Sequence, residues 1–233
     1  MKILQTSLAF IILFFISTSL KAQIPSGVYF SENENETHEL KINDNYIIHT
    51  VYESSPAKFI MTAGGFYTLK DGIIHVDLEF DSDFAKDSLT ELDIPYSMNN
   101  GKLLLKASSE LEFEKSESLS QELDGEWLFA TRGPDTGQER RGEESARKTL
   151  KFLKDGRFQW IAYHTETMKF SGSGGGTFSS KNGVYVENIE FFSKDNSRVG
   201  AELKFDYEIK GKDWHHTGLN SKGQEMYEIW GKR

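Results

Sequence analysis

Residues 169–193 read KFSGSGGGTFSSKNGVYVENIEFFS, and residues 58–82 read KFIMTAGGFYTLKDGIIHVDLEFDS. The two stretches stand 111 positions apart, and that spacing holds without a gap from Tyr46/Arg157 to Ala107/Gly218. Identical pairs run through it, among them Tyr52/Tyr163, Phe59/Phe170, Gly64/Gly175, Gly65/Gly176, Glu79/Glu190 and Tyr96/Tyr207. Self-similarity at a fixed spacing marks a repeated fold unit. The chain therefore reads as two tandem domains, residues 23–118 and 123–233, joined by a linker at 119–122.

Each copy divides into eight short segments rich in β-branched and aromatic residues, separated by Gly/Asn/Asp turn signals such as KDG, SKNG and KGK. Those turn residues accept the backbone angles that tight hairpins need. Aromatic residues at 13%, with 20 glycines against 4 prolines, suit short strands with many turns. The expected class is all-β, two tandem eight-stranded up-and-down barrels. A β-sandwich is the alternative, because alternation alone does not separate the two.

The chain opens MKILQTSLAFIILFFISTSLKAQ, with Lys2, an apolar run over residues 8–16 and Ala22 before a polar start. This predicts a secretory signal peptide over 1–22 and a secreted or periplasmic protein. The run is short for a membrane span. The absence of cysteine removes a lipid-anchoring cysteine, a disulfide framework and thiolate chemistry. A net charge of −9 argues against nucleic acid and against anionic membrane surfaces as partners.

Gly125-Glu126-Trp127 on the first strand of the second copy resembles the G-x-W signature of lipocalins. The GG-aromatic, IEF, DW-H-G and E-x-W segments are similar to secreted lipocalin-like domains of unknown function. The likeness covers most of 123–233 and, more faintly, the first copy, which begins Gly27-Val28-Tyr29. It implies a barrel whose Trp127 plugs one end under a basic residue of the last strand, Lys232 or Arg233. It implies no activity.

The repeat decides which way Glu187 points. In the first copy Ile74, Val76, Leu78 and Phe80 form an apolar face, with His75, Asp77, Glu79 and Asp81 opposite. Side chains alternate along a strand, and a one-residue slip exchanges the faces. The offset lays Tyr185, Glu187, Ile189 and Phe191 on the apolar face, so Glu187 is expected inside. The same transfer places Tyr207, Trp214, His216, Glu228 and Trp230 inward, with Trp160 and His164 on the inner face of their strand. The first barrel then has a mostly apolar interior, whereas the second mixes carboxylates, histidine and indole.

A buried carboxylate is costly unless paired or protonated. Glu187 or Glu228 either bonds His216 and an indole N–H as a structural cluster, or lines a pocket for a small, partly apolar molecule. Three readings are open: an exported small-molecule binder, a non-catalytic interaction or scaffold protein with solid barrels, and an acid–base enzyme using Glu187 and His216, with Glu228 the further catalytic candidate. The 131–147 segment, TRGPDTGQERRGEESAR, reads as a solvated loop or as a lid offering Arg140 and Arg141 to a ligand. SGSGGG at 171–176 precedes a strand rather than a helix, so it reads as a barrel kink and not a phosphate cradle. His215 and His216 are adjacent and face opposite ways on a strand. No metal and no cofactor is called for.

Overall fold

The computed structural model describes residues 23–33, 35–107, 109–220 and 223–233, so the expected signal peptide lies outside the described residues. The first copy gives β1 (Gly27–Asn33), β2 (Glu36–Ile42), β3 (Tyr46–Ser54), β4 (Ala57–Lys70), β5 (Ile73–Asp81), β6 (Glu91–Asn99), β7 (Lys102–Lys106) and β8 (Glu110–Lys115). The second gives β9 (Gly125–Arg132), β10 (Arg147–Lys154), β11 (Arg157–His164), β12 (Lys169–Lys181), β13 (Val184–Phe192), β14 (Glu202–Lys210), β15 (Asp213–Leu219) and β16 (Glu225–Lys232). Each set of eight pairs antiparallel in sequence order and closes on itself, giving two up-and-down barrels rather than a sandwich. Among the described residues no helix is long and apolar enough to cross a membrane.

Turn chemistry and register repeat between the copies. Asp71-Gly72 and Asn182-Gly183 close the β4–β5 and β12–β13 hairpins with both residues at positive φ. That is the turn whose twist matches paired strands. Val76 pairs with Leu92 in one barrel and Glu187 with Leu203 in the other.

A bulge also repeats. Gly64 pairs with Phe80 but Gly65 with Leu78, and Gly175 pairs with Phe191 but Gly176 with Ile189. Glu79 and Glu190 are the extra residues. A Cβ on Gly65 would collide with the Asp77 carbonyl oxygen, and one on Gly176 with that of Asn188, so the crossing admits only glycine. The bulge corrects one expectation. Past it the alternation shifts, and Phe80 and Phe191 each turn out of their own barrel toward the other one.

The barrels pack through these residues about a local twofold. Phe80 meets Tyr163 with ring centroids 5.1 Å apart, and Tyr52 meets Phe191 at 4.9 Å. Phe59 stacks on its own counterpart, Phe170, at 6.2 Å. The Tyr163 hydroxyl donates to Glu79 at 2.8 Å, and that of Tyr52 to Glu190 at 3.4 Å. A patch that contacts its own copy in this way is an isologous interface, here within one chain.

The centre of this interface is polar. Arg157 forks Glu39 through Nε and Nη2, both at 3.0 Å, and Lys41 lies 2.7 Å from the same carboxylate. The Gln159 carboxamide accepts from Lys41 and Thr50 and donates to Thr62 and Ser173. Glu39, Lys41 and Gln159 are wholly buried. Burial alone would raise the Glu39 carboxyl, but the Arg157 and Lys41 charges bring it down to about 2.

Candidate functional site

The interior of the second barrel is built from alternate residues of its strands. β13 turns Tyr185, Glu187 and Ile189 inward, β15 contributes Trp214 and His216, and β14 contributes Phe205 and Tyr207. Glu187 is 4% exposed, so the side assigned from the repeat is the observed one.

Its partner is a residue that the gapless stretch of the repeat does not reach. Lys151 of β10 donates to Glu187 Oε1 at 2.8 Å, and the Tyr185 hydroxyl donates to the same oxygen at 2.8 Å. The ammonium stands 4.9 Å from the ring centres of Tyr185 and Trp214 and 5.2 Å from that of Trp230, a three-sided cation–π cage. Burial first, and then the Glu187 charge, push the Tyr185 hydroxyl well above its ordinary value. The missed signal lies one hairpin before Tyr46/Arg157, where the same offset sets Lys151 over Leu40. Leu40 pairs with His49 as Lys151 pairs with Trp160.

His216 sits deeper, directly opposite Tyr207 on one side and Glu228 on the other. It packs against Phe205 at 4.4 Å, Trp214 at 5.0 Å and Tyr185 at 5.7 Å between ring centres. Its Nδ1 lies 3.7 Å from Glu228 Oε2, within ion-pair distance but too far for a hydrogen bond. Glu228 instead accepts from Trp230 Nε1 at 3.1 Å. Both His216 ring nitrogens and Trp214 Nε1 are therefore buried without a hydrogen-bond partner. Burial foremost, then the Lys151 charge, lower His216 to about 4 against the opposing carboxylates, which leaves the imidazole neutral at pH 7.

Of the remaining expected residues, Trp160 and Tyr207 pack with the second barrel's core, and Arg140 and Arg141 lie elsewhere. Trp160 is half-buried and meets Phe192 edge-on at 5.6 Å. His164 ends β11 with its Nδ1 buried and unpartnered. Tyr207 faces inward, but its hydroxyl is spent on Glu122 of the linker. Arg140 is held outside by Asp135 at 3.0 Å and Asp213 at 2.7 Å. Arg141 rests its guanidinium 4.4 Å over the Phe129 ring, while its backbone N–H donates to the Ala130 carbonyl at 2.9 Å. The 131–147 segment thus lies against β9 at these points. Metal-ligand spacing among the described residues occurs at His75, Asp77 and Glu91 on the first barrel.

Of the two basic residues expected over Trp127, Lys232 is the one in contact with it. Lys232 Nζ lies 4.3 Å over the Trp127 ring, whose N–H donates to the Leu123 carbonyl at 2.8 Å. Arg233 takes another course, to Glu79 at 2.9 Å and Glu143 at 2.7 Å. The first barrel keeps Leu40, Val76, Leu103 and Leu105 at its core, interrupted by His38 and His49 with ring nitrogens 3.1 Å apart. The sequence matches no protein-family model and no curated protein, which leaves the geometry of the second barrel's interior as the ground for a functional reading.

Proposed function

We propose that the protein is an exported binder of a small, partly apolar molecule held in the second barrel. The observation behind this reading is the unpartnered polar set of Trp214 Nε1 and both nitrogens of His216, buried side by side. Buried polar groups are satisfied in nearly every native structure, by protein, water or ligand. A neutral imidazole offers one donor and one acceptor, and the indole offers a second donor. Lys151 is already neutralised by Glu187, and Glu228 adds a further negative charge, so the interior favours an uncharged oxygen, a hydroxyl or a carbonyl, over another anion. The apolar remainder would lie against Trp230, Phe205 and Tyr185.

All four tryptophans belong to the second barrel, so their emission reads its interior. Sterol-like compounds, short oligosaccharides and apolar carboxylates should be titrated while emission and thermal midpoint are followed. A hundredfold excess over Kd stabilises by about 2.7 kcal/mol, which melting detects. The expected hit is a neutral, hydroxyl- or carbonyl-bearing compound whose effect is lost in His216→Phe and in Trp214→Phe. No response in the parent protein across all three classes would favour the scaffold reading, with solid barrels. An acid–base reading would rest on His216 with Glu228, since Glu187 is committed to Lys151 and Tyr185.

A further inference from the structure

The two barrels differ at their closing seams. In the second, the ladder between β9 and β16 runs from Trp127–Lys232 up to Arg132–Glu228. In the first, among the described residues, the ladder between β1 and β8 holds only Tyr29–Lys115 and Phe30–Glu114. At its foot the Ser116 N–H donates to the Val28 carbonyl at 2.8 Å. Beyond Phe30 the strands part.

That bond fixes which backbone groups face the opening. In an antiparallel ladder the N–H and C=O of one residue point the same way, and successive residues alternate. Val28, Phe30 and Glu32 therefore point toward β8, and Ser116, Glu114, Glu112 and Glu110 toward β1. Continued in register, the ladder would set Glu32 opposite Glu112. Like charges directly opposite are destabilising, whereas the second barrel closes there with Arg132 opposite Glu228. The parted edges border a groove of about 710 Å³ whose lining includes Phe30, Glu32, Glu110, Leu111, Glu112 and Glu114.

Unpaired strand edges are a template for another chain. The charges say which kind. Lys102 bridges Glu112 and Glu114 at 2.7 and 2.6 Å, and Lys106 reaches Glu110 at 3.4 Å. Four glutamates thus face two lysines on a protein of net charge −9, and Glu32 has no ion pair among the described residues. On the inner side Leu111 packs against the first barrel's core. We infer that this seam takes an extended segment of a partner protein as an added strand, with basic residues outward and apolar residues inward at alternate positions.

The probe is a fluorescein-labelled acetyl-Lys-Val-Lys-Val-Lys-Val-amide, titrated with the full chain and followed by anisotropy. Saturable binding that weakens with salt is expected. Glu112→Pro removes a seam-facing N–H without touching a bond to β7, and it should cost about tenfold in affinity. Glu112→Gln, which keeps the N–H, should cost less. Should Glu112→Pro fail to fold, Glu32→Pro makes the same test from the opposite strand. Absence of saturable binding overturns the proposal. So does equal binding of acetyl-Lys-Pro-Lys-Pro-Lys-Pro-amide, which has the charge but cannot pair as a strand. A dimer in sedimentation that Glu112→Pro dissociates would assign the seam to a second copy, and overturn it as well.

Discussion

The Lys151 ammonium lies 2.8 Å from the Glu187 carboxylate inside the second barrel, where the first barrel has Leu40 and Val76. Removing one partner leaves a buried charge stranded, whereas replacing both with matched apolar groups is often neutral or stabilising. Glu187→Val should therefore destabilise by about 3–5 kcal/mol. Glu187→Val combined with Lys151→Leu should return to within about 1 kcal/mol of the parent, or exceed it. Urea unfolding of the parent, both single variants and the double variant measures this. Equal, additive losses in the double variant would show that the two side chains are not coupled.

His216 makes stability depend on pH in a defined window. The unfolded imidazole takes up its proton near 6.5 and the folded one near 4. As pH falls from 6.5 toward 4 the unfolded state binds more protons, so stability declines, and below 4 the loss is complete. The term amounts to about 2 kcal/mol by roughly pH 5. His216→Phe should remove that part of the slope, making the variant lose less than the parent between pH 7 and pH 5. Parallel curves for the two proteins would mean that His216 titrates normally and is not enclosed.

Much of the second barrel's interior was legible because the repeat supplies an internal control. Val76 shows where Glu187 points, and Leu105 does the same for His216. Lys151 was legible by the same rule, but only if the offset is carried back across the β2–β3 hairpin to Leu40. Phe80 and Phe191 were misplaced for a different reason. Period-two counting assumes an unbroken ladder, and the extra residues Glu79 and Glu190 break it at the Gly-Gly pairs. The interface of Glu39, Lys41, Arg157 and Gln159 has no local pattern. Its residues look like the solvated side of amphipathic strands until the other barrel covers them.

That interface predicts one unfolding unit. Separating the barrels would uncover Glu39, Lys41 and Gln159 together with Tyr46, Phe152 and Tyr163. Tryptophan emission, which reports only the second barrel, and far-ultraviolet circular dichroism, which reports both, should give coincident transitions. Arg157→Met leaves Glu39 short of its forked partner and should cost about 3 kcal/mol, shifting both signals together. A first-barrel transition separate from the tryptophan signal would show two independent domains.

Glu126 gives the opposite pH dependence and a route to a more stable protein. It sits on β9, where the Asn43 side-chain amide of the first barrel donates to its carboxylate. Arg233 Nη1 is 3.9 Å from its other oxygen. Burial, and then the Glu79 and Glu143 charges, push the carboxyl up to about 7 against the pull of Arg233. Unfolded, it ionises near 4.5, so between 4.5 and 7 the folded state holds a proton that the unfolded state has released. Folding grows costlier as pH rises through that window, and the full cost is present above 7. Glu126→Gln keeps an oxygen for Asn43 and removes the ionisation. The variant should exceed the parent by up to about 3 kcal/mol at alkaline pH and converge with it near the unfolded carboxyl's own pKa. Urea midpoints of both proteins across that range decide it. A gap that stays constant with pH would place Glu126 in water, with an ordinary carboxyl and no part in how the barrels meet.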